Sequence, residues 1–266
     1  MSRHPTAIVH PATRLHASVS VGAYAVIEDG VEIGAGSVIR EHVVIRAGTQ
    51  LGEGCDVDSH AVLGGLPQDT RFDPNTPSGV RIGNGVVIRE GVTVNRAVEE
   101  GTFTSIGDRS LLMANSHVGH DCQVGQAVIL ANGVLLGGRV QVGDHTFIGG
   151  GAAIHQFCRI GESAMIGGMA RVSEDLAPFC LMAERNAISG LNLVGLRRRG
   201  FSMEEMRELK GLYRHIFSFG GRPRQLAEEA LRSGLAKTGP GVVFLRFISL
   251  ESKKGLMQPH RREERS

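Results

Sequence analysis

Four reactive side chains stand together in the segment ANSHVGHDCQVG, residues 114–125. They are His117, His120, Asp121 and Cys122, and the chain around them is built mostly of Val, Ile, Leu and Gly. An imidazole can take a proton from a hydroxyl group at neutral pH, and a neighbouring carboxylate can fix which ring nitrogen carries hydrogen. The pattern therefore predicts a general base at His120, oriented by Asp121.

Two other interpretations of these histidines are open on the residues alone. Both could be solvated surface side chains. They could also bind zinc, but their spacing of three differs from the spacing of five in β-helical carbonic anhydrases. We expect no metal site.

The elements that must position these residues are indicated by a six-residue repeat. Counting by six, ten successive positions from Val9, three from Ile82 and twelve from Ile106 are all aliphatic. This period fits neither an α-helix nor an alternating strand. It is typical of a parallel β-helix, in which each hexad forms one flat side of a triangular coil and its aliphatic residue points inward. Since Val118 is an inward position, His117 and His120 should face outward.

The repeat is interrupted near residues 64–81, which are rich in Pro, Asp and Gly, and near 95–105, where Glu100 falls on an inward position. Loops that leave a rigid scaffold often carry function. After Val172 the period ends. We therefore predict a β-helix over 1–190 and a small helical domain over 191–266, with helices within 201–217, 223–235 and 241–255. This domain should cover one end of the prism and its open strand edges.

Charge, cysteine spacing and hydropathy argue against several classes of protein. A net charge of +2 is too small to indicate a nucleic-acid partner, although basic residues concentrate in LRRRG (196–200) and HRREER (260–265). The four cysteines form no C-x-x-C pair. No apolar run approaches the ~20 residues of a membrane-spanning helix, and no signal peptide is expected. We predict a cytoplasmic protein with reduced thiols.

Three segments resemble one enzyme family over nearly the whole chain: HVGHDC (117–122), IHQFCRIG (154–161) and GLNLVGLRRRGFS (190–202). They are similar to the UDP-N-acetylglucosamine O-acyltransferases of lipid A synthesis, which are hexapeptide-repeat proteins. The resemblance implies a left-handed parallel β-helix with a C-terminal α-helical domain. It also implies transfer of a (3-hydroxy)acyl group from acyl carrier protein to the 3-hydroxyl of UDP-N-acetylglucosamine, the first step of lipid A biosynthesis.

The resemblance also implies roles for single residues. His120 would be the base, Asp121 its orienting partner, and the backbone N–H of Gly138 the oxyanion donor. Gly168 would set the acyl length, with neighbouring Met169 able to intrude. The substrate contacts would be Gln68, Asp69, Arg71, His117, Arg139, His155, Gln156, Asn192 and Arg198.

The family further implies a homotrimer whose clefts lie between adjacent prisms, with the carrier thioester as donor and no cofactor. Three positions depart from the family pattern. Arg139 stands where a substrate-contacting histidine is common, Val194 where an acidic residue is common, and Arg71 where lysine is common.

Three alternatives stay open. The acceptor could be a 3-amino sugar, in which case the product would be an amide. The donor could be acetyl-CoA, as in other hexapeptide transferases. The solenoid could also be a non-catalytic scaffold, which would not need His120.

Overall fold

Most hexads fold into a two-residue strand followed by a tight corner. The computed structural model describes residues 2–218 and 220–259. Three successive strands complete one coil, and each strand pairs in parallel with the strand one coil further on, as in the pairing of His117 with Leu135. The result is the left-handed parallel β-helix that the resemblance implied. We call its three flat sides face A, face B and face C.

The strands of the three faces are as follows. Face A contains β1 (Ser2–Arg3), β4 (Ser20–Val21), β7 (Val38–Ile39), β10 (Asp56–Val57), β13 (Val87–Ile88), β16 (Leu111–Leu112), β19 (Ile129–Leu130), β22 (Phe147–Ile148), β25 (Met165–Ile166), β27 (Cys180–Met182), β28 (Ala187–Leu191) and β29 (Gln258–Pro259). Face B contains β2 (Ile8–Val9), β5 (Val26–Ile27), β8 (Val44–Ile45), β11 (Val62–Gly65), β14 (Thr93–Asn95), β17 (His117–Val118), β20 (Leu135–Leu136), β23 (Ala153–Ile154) and β26 (Arg171–Val172). Face C contains β3 (Arg14–Leu15), β6 (Glu32–Ile33), β9 (Thr49–Leu51), β12 (Gly79–Ile82), β15 (Phe103–Ile106), β18 (Gln123–Val124), β21 (Gln141–Val142) and β24 (Arg159–Ile160).

The core of the prism is filled by two residues from each hexad. The aliphatic residue of the repeat is one of them, as in the fully buried column Leu112, Leu130, Ile148. The second is a small residue two positions earlier, such as Cys122 before Val124. Cys55 and Cys158 occupy the same kind of position, and all four cysteines are free and buried. Burial raises the pKa of the Cys122 thiol to about 12, so this cysteine is a packing residue.

The chain leaves the ladder at two places. Between Gly65 and Gly79 it forms a long excursion, and between Asn95 and Phe103 a shorter one. The two excursions are tied together, since the Ser78 hydroxyl donates to the Ala97 carbonyl at 2.5 Å and the Ala97 N–H donates to the Gly79 carbonyl.

The C-terminal part contains four helices: α1 (Leu193–Arg198), α2 (Met203–Phe217), α3 (Pro223–Arg232) and α4 (Gly239–Ser249). A capping box formed by Ser202 and Glu205 begins α2. The short α1, which the sequence pattern does not predict, begins after the N-cap Asn192. The helix expected over 241–255 ends at Ser249, because Leu250 has an extended backbone.

The end of face A is closed by the chain itself. β27 and β28 form an antiparallel hairpin, and β29 pairs in parallel with β28. Arg159 also links α4 to the prism. Arg159 donates from Nε to Asp175 Oδ2 at 2.6 Å, and its guanidinium lies 4.7 Å from the ring centre of Phe247 in α4. Among the described residues, no helix has the length and apolar character needed to cross a membrane.

Candidate active site

His120 and Asp121 occupy the corner that follows β17. Asp121 has a φ of +58°, a left-handed conformation that aspartate tolerates better than most residues. Its backbone N–H donates to Thr104 Oγ1 at 2.8 Å, and its Oδ1 accepts from the Val98 N–H at 3.2 Å. The preceding coil therefore holds the backbone of Asp121, and the shorter excursion holds its carboxylate.

The two side chains are paired and half enclosed. His120 Nδ1 lies 2.7 Å from Asp121 Oδ2, and the side chains are 22% and 16% exposed. With the hydrogen on Nδ1 donated to the carboxylate, Nε2 keeps its lone pair. This tautomer follows from the hydrogen-bond partner, and it leaves His120 able to accept a proton.

Gly138 lies one coil further on and directly beside His120. A Cβ on Gly138 would lie 2.6 Å from His120 Cε1 and even closer to Nε2, so the imidazole occupies the space that any side chain would need. Within residues 2–218 and 220–259, the Gly138 N–H makes no protein hydrogen bond. A proton acceptor and an unused backbone donor are thus adjacent, which is the arrangement that acyl transfer through an oxyanion requires.

These groups open onto a cleft of about 780 Å³ that follows face B and its corner with face C. The corner residues His120, Gly138 and Gln156 follow one another at intervals of one coil, and His155 lies beside Gln156. The other lining residues are Gln68, Asn95, His117, Gly119, Leu135, Leu136, Gly137, Ala153, Ile154, Arg171, Val172, Ser173 and Arg185.

His117 lies on β17 and lines the cleft with His120. Its Nδ1 lies 2.8 Å from Thr93 Oγ1 on the preceding coil. Burial lowers the pKa of His117, and the nearby His120 charge lowers it further. This ring therefore stays neutral to lower pH than an ordinary histidine, and it can serve as a hydrogen-bonding group.

The longer excursion brings Gln68 into the cleft, while Asp69 and Arg71, which follow it, lie outside the cleft lining. Arg71 donates to both carboxylate oxygens of Asp69, from Nε at 3.2 Å and from Nη2 at 3.1 Å. These hydrogen bonds lower the pKa of Asp69 to about 2. Asn95, at the end of β14, holds the excursion by donating from Nδ2 to the Leu66 carbonyl at 2.9 Å.

Two of the predicted contacts, Asn192 and Arg198, lie elsewhere on the chain. They line a groove of about 530 Å³ beside Phe147 and Met165 of face A. The Asn192 side chain is engaged within the chain, since it accepts from the Gly195 N–H at 3.1 Å and donates to the Ser163 carbonyl at 3.0 Å. Exposed Val194 lines the same groove.

Gly168 and Arg139 also lie outside the cleft lining. Gly168 is at the corner between faces A and B, where a Cβ would lie 3.3 Å from the Gly150 carbonyl oxygen. The next residue, Met169, is 78% exposed. Arg139 lies on the face C side of the corner and contacts Asp121.

Comparison with known proteins gives two family models that match separate parts of the chain. A model described as UDP-N-acetylglucosamine O-acyltransferase, domain 2, matches residues 175–257. The bacterial transferase hexapeptide model, of six repeats, matches 12–47 and 103–138.

Full-length relatives decide the family. An acyl-[acyl-carrier-protein]–UDP-N-acetylglucosamine O-acyltransferase of Campylobacter concisus is 37% identical over 95% of this chain and 96% of its own. The chain belongs to the UDP-N-acetylglucosamine O-acyltransferase family. A relative of the same name from Thermodesulfovibrio yellowstonii is 45% identical over 80% of this chain and 83% of its own. The solved structure of the Campylobacter jejuni UDP-N-acetylglucosamine acyltransferase has a TM-score of 0.90 at 35% identity, covering 97% of this chain and 99% of that one.

This member of the acyltransferase family has cleft residues that the motifs did not indicate. Arg171 lies in the same face B column as His117, Leu135 and Ala153, at intervals of 18 residues. Counting whole coils from His117 could have found it. Arg185 follows the last coil, where the repeat gives no signal. Among the described residues, no group of three or more His, Cys, Asp or Glu side chains is arranged to hold a metal ion.

Proposed function

We propose that this chain transfers a (3-hydroxy)acyl group from acyl carrier protein to the 3-hydroxyl of UDP-N-acetylglucosamine, the first step of lipid A biosynthesis. The observation that carries this proposal is the adjacency of His120 Nε2 and the unused Gly138 N–H at the cleft. The full-length similarity to relatives with that activity in their names supports it. Four free cysteines suit a reducing compartment, and we place the reaction in the cytoplasm.

The proposed reaction begins with proton abstraction. His120 Nε2 takes the proton of the sugar 3-hydroxyl, and Asp121 stabilises the imidazolium that forms. The sugar oxygen then attacks the carbonyl carbon of the thioester. The carbonyl oxygen becomes an oxyanion, which accepts a hydrogen bond from the Gly138 N–H. When this intermediate collapses, the C–S bond breaks, the imidazolium gives its proton to the leaving thiolate, and the products are a sugar ester and the carrier thiol. Donation to the oxyanion is commonly worth about 10²–10³-fold in kcat.

We assign substrate contacts from where each residue lies along the cleft relative to His120. We propose that Gln68 and His117 contact the sugar next to His120, and that Asp69 and Arg71 complete this end of the site. His155 and Gln156 lie further along the cleft, where the nucleotide phosphates would extend. A neutral His117 can donate or accept a hydrogen bond to the substrate. It also avoids placing a positive charge beside His120, where that charge would disfavour the His120 imidazolium.

A trimer explains why the predicted contacts lie on two sides of one chain. His120 opens onto face B, whereas Asn192 and Arg198 border face A. If face A of one prism packs beside face B of the next, these groups could meet in one cleft. We propose that each site is built from two protomers, and that Gly168, at the shared corner of faces A and B, lies along the acyl groove.

The carrier protein is assigned to the basic surface of α1. Arg197, Arg198 and Arg199 are exposed there. A row of guanidinium groups suits an acidic partner and also the diphosphate of a sugar nucleotide, to which we assign Arg198. The second basic run, residues 260–265, lies outside the described residues. We assign no nucleic-acid partner and no cofactor.

The test is a mass-spectrometric assay of the purified protein with a panel of acyl carrier protein thioesters. The acceptors are UDP-N-acetylglucosamine, its 3-amino analogue and its 3-deoxy analogue. We expect an ester from the first acceptor and no product from the third. Preferred formation of an amide from the 3-amino sugar would make the chain an N-acyltransferase with the same site. No acyl product from any pair would refute the proposal.

A further inference from the structure

Arg139 and the shorter excursion, residues 96–102, meet behind the His120–Asp121 pair. They border a second hollow of about 450 Å³ that includes Asp121 but not His120. Arg139 lies one coil after Asp121, in a left-handed corner with a φ of +62°. Its backbone N–H donates to the His120 carbonyl at 2.8 Å, so its Cα is fixed relative to the pair.

The Arg139 guanidinium contacts an acidic group on each side. Nε lies 3.5 Å from Asp121 Oδ2, the same oxygen that lies 2.7 Å from His120 Nδ1. Nη2 donates to Glu99 Oε1 at 3.1 Å. The excursion also supplies the Val98 N–H, which donates to Asp121 Oδ1. Both oxygens of the carboxylate thus have partners outside the pair: the excursion bonds Oδ1 directly and reaches Oδ2 only through Arg139.

We propose that Arg139, balanced by Glu99, is a positioning residue that acts through Asp121. It orients the carboxylate and sets how much negative charge Asp121 presents to His120. This inference rests on the proposed function and assigns Arg139 a different task from the substrate contact that the family pattern implies. It also gives the shorter excursion a role in the reaction.

Other charged or titratable groups surround the pair on both sides. On the cleft side they are Asp69, His117, His155, Arg171 and Arg185. On the face C side they are Arg159, Glu251 and Lys253, and the buried thiol of Cys122 lies beneath. None of these groups connects Asp121 to the excursion. Substitutions of Arg139 and Glu99 therefore test the effect of that connection on His120 separately from the other charges.

The two substitutions should act in opposite directions. The positive charge of Arg139 opposes protonation of His120, so Arg139→Gln should move the acidic limb of the kcat/KM profile to higher pH. The negative charge of Glu99 offsets Arg139, so Glu99→Gln should move that limb to lower pH. Unit charges a few ångströms apart in a half-exposed site shift a titration by roughly 0.5–1 pH unit.

The experiment measures pH–rate profiles of the full chain and, separately, the NMR titration of the His120 ring, assigned with His120→Gln. Arg139→Lys keeps the charge and should leave the limb close to the wild-type position. Arg81→Gln is the matched control. Arg139 lies over the Phe157 ring, 5.7 Å from its centre, and Arg81 likewise lies over the Phe103 ring at 4.1 Å. Arg81, however, bonds Gln50 instead of an acidic group.

Opposite shifts for Arg139→Gln and Glu99→Gln would support the inference. A raised KM for the sugar nucleotide with an unmoved limb would instead assign Arg139 to substrate binding and overturn it, as would no change in either quantity. Glu99 is exposed, so Glu99→Gln decides the matter even if Arg139→Gln does not fold. The NMR titration needs no turnover, so failure of the proposed function remains distinguishable from failure of this inference.

Discussion

At the scale of single residues, the six-residue repeat separates packing side chains from reactive ones. Cys122 and His120 are two residues apart, yet the first fills the core and the second opens onto the cleft. The sequence predicts the outward position of His120 because the inward phase is unambiguous. It does not predict the contact between Glu99 and Arg139, since those residues are 40 positions apart and one of them lies in an excursion.

The requirement for glycine at position 138 gives a residue-scale prediction. In Gly138→Ala the added Cβ would overlap the His120 ring and displace it from the acceptor. A displacement of about 1 Å in a reacting group can cost about 10²-fold in rate, so we expect a fall in kcat of that order, measured by steady-state kinetics.

The matched control is Gly211→Ala on the exposed side of α2, where a Cβ meets nothing within 4 Å. It should keep full activity and gain up to ~1 kcal/mol of stability from helix propensity. Wild-type kcat in Gly138→Ala, with the same melting temperature, would show that the close approach of His120 to position 138 is not needed.

At the scale of elements, the repeat predicts the strands and their phase, because one inward aliphatic residue per hexad admits only one register. It does not predict the β27–β28 hairpin, whose strands follow the end of the period and are joined without a strong turn signal. It also misses α1, a helix of only six residues that contains Gly195 and depends on the side chain of Asn192 for its start.

The link between the two excursions gives an element-scale prediction. In Ser78→Ala the buried carbonyl of Ala97 loses its hydroxyl donor, which should cost about 1–3 kcal/mol in the free energy of unfolding. Because the longer excursion carries Gln68, Asp69 and Arg71, we expect KM for the sugar nucleotide to rise while kcat changes little. Chemical denaturation and steady-state kinetics measure the two effects.

Ser110→Ala is the control for that variant. The Ser110 hydroxyl is also buried, donates to the Gly125 carbonyl at 3.0 Å and accepts from the Val128 N–H at 3.1 Å, but it lies away from both excursions. Ser110→Ala should lose at least as much stability as Ser78→Ala, with KM unchanged. An equal rise in KM for both serine variants would mean that the effect follows from general destabilisation, against the proposed role of the link.

At the scale of the whole molecule, one prism presents two incomplete sets of functional groups. The cleft of face B has the proposed base and oxyanion donor together with Arg171 and Arg185, while the groove of face A has Arg198, Arg199 and Met165. The repeat predicts the outward positions on the strands of both faces, but it predicts neither the α1 side of the groove nor the association of two prisms. The outward residues of a solenoid follow no period, so the sequence does not show which of them contact another chain. The proposed trimer would complete each site between two chains.

Subunit mixing tests that central claim most directly. His120→Ala should be inactive but folded, and Arg198→Ala should have a strongly raised KM for the sugar nucleotide. When equal amounts of the two variants are unfolded and reassembled together, about one cleft in four should combine an intact His120 with an intact Arg198 from its neighbour. The account predicts recovery of about a quarter of wild-type activity, measured at substrate concentrations where neither variant alone is active. Mixed assemblies that form, as shown by mass, yet recover no activity would contradict it.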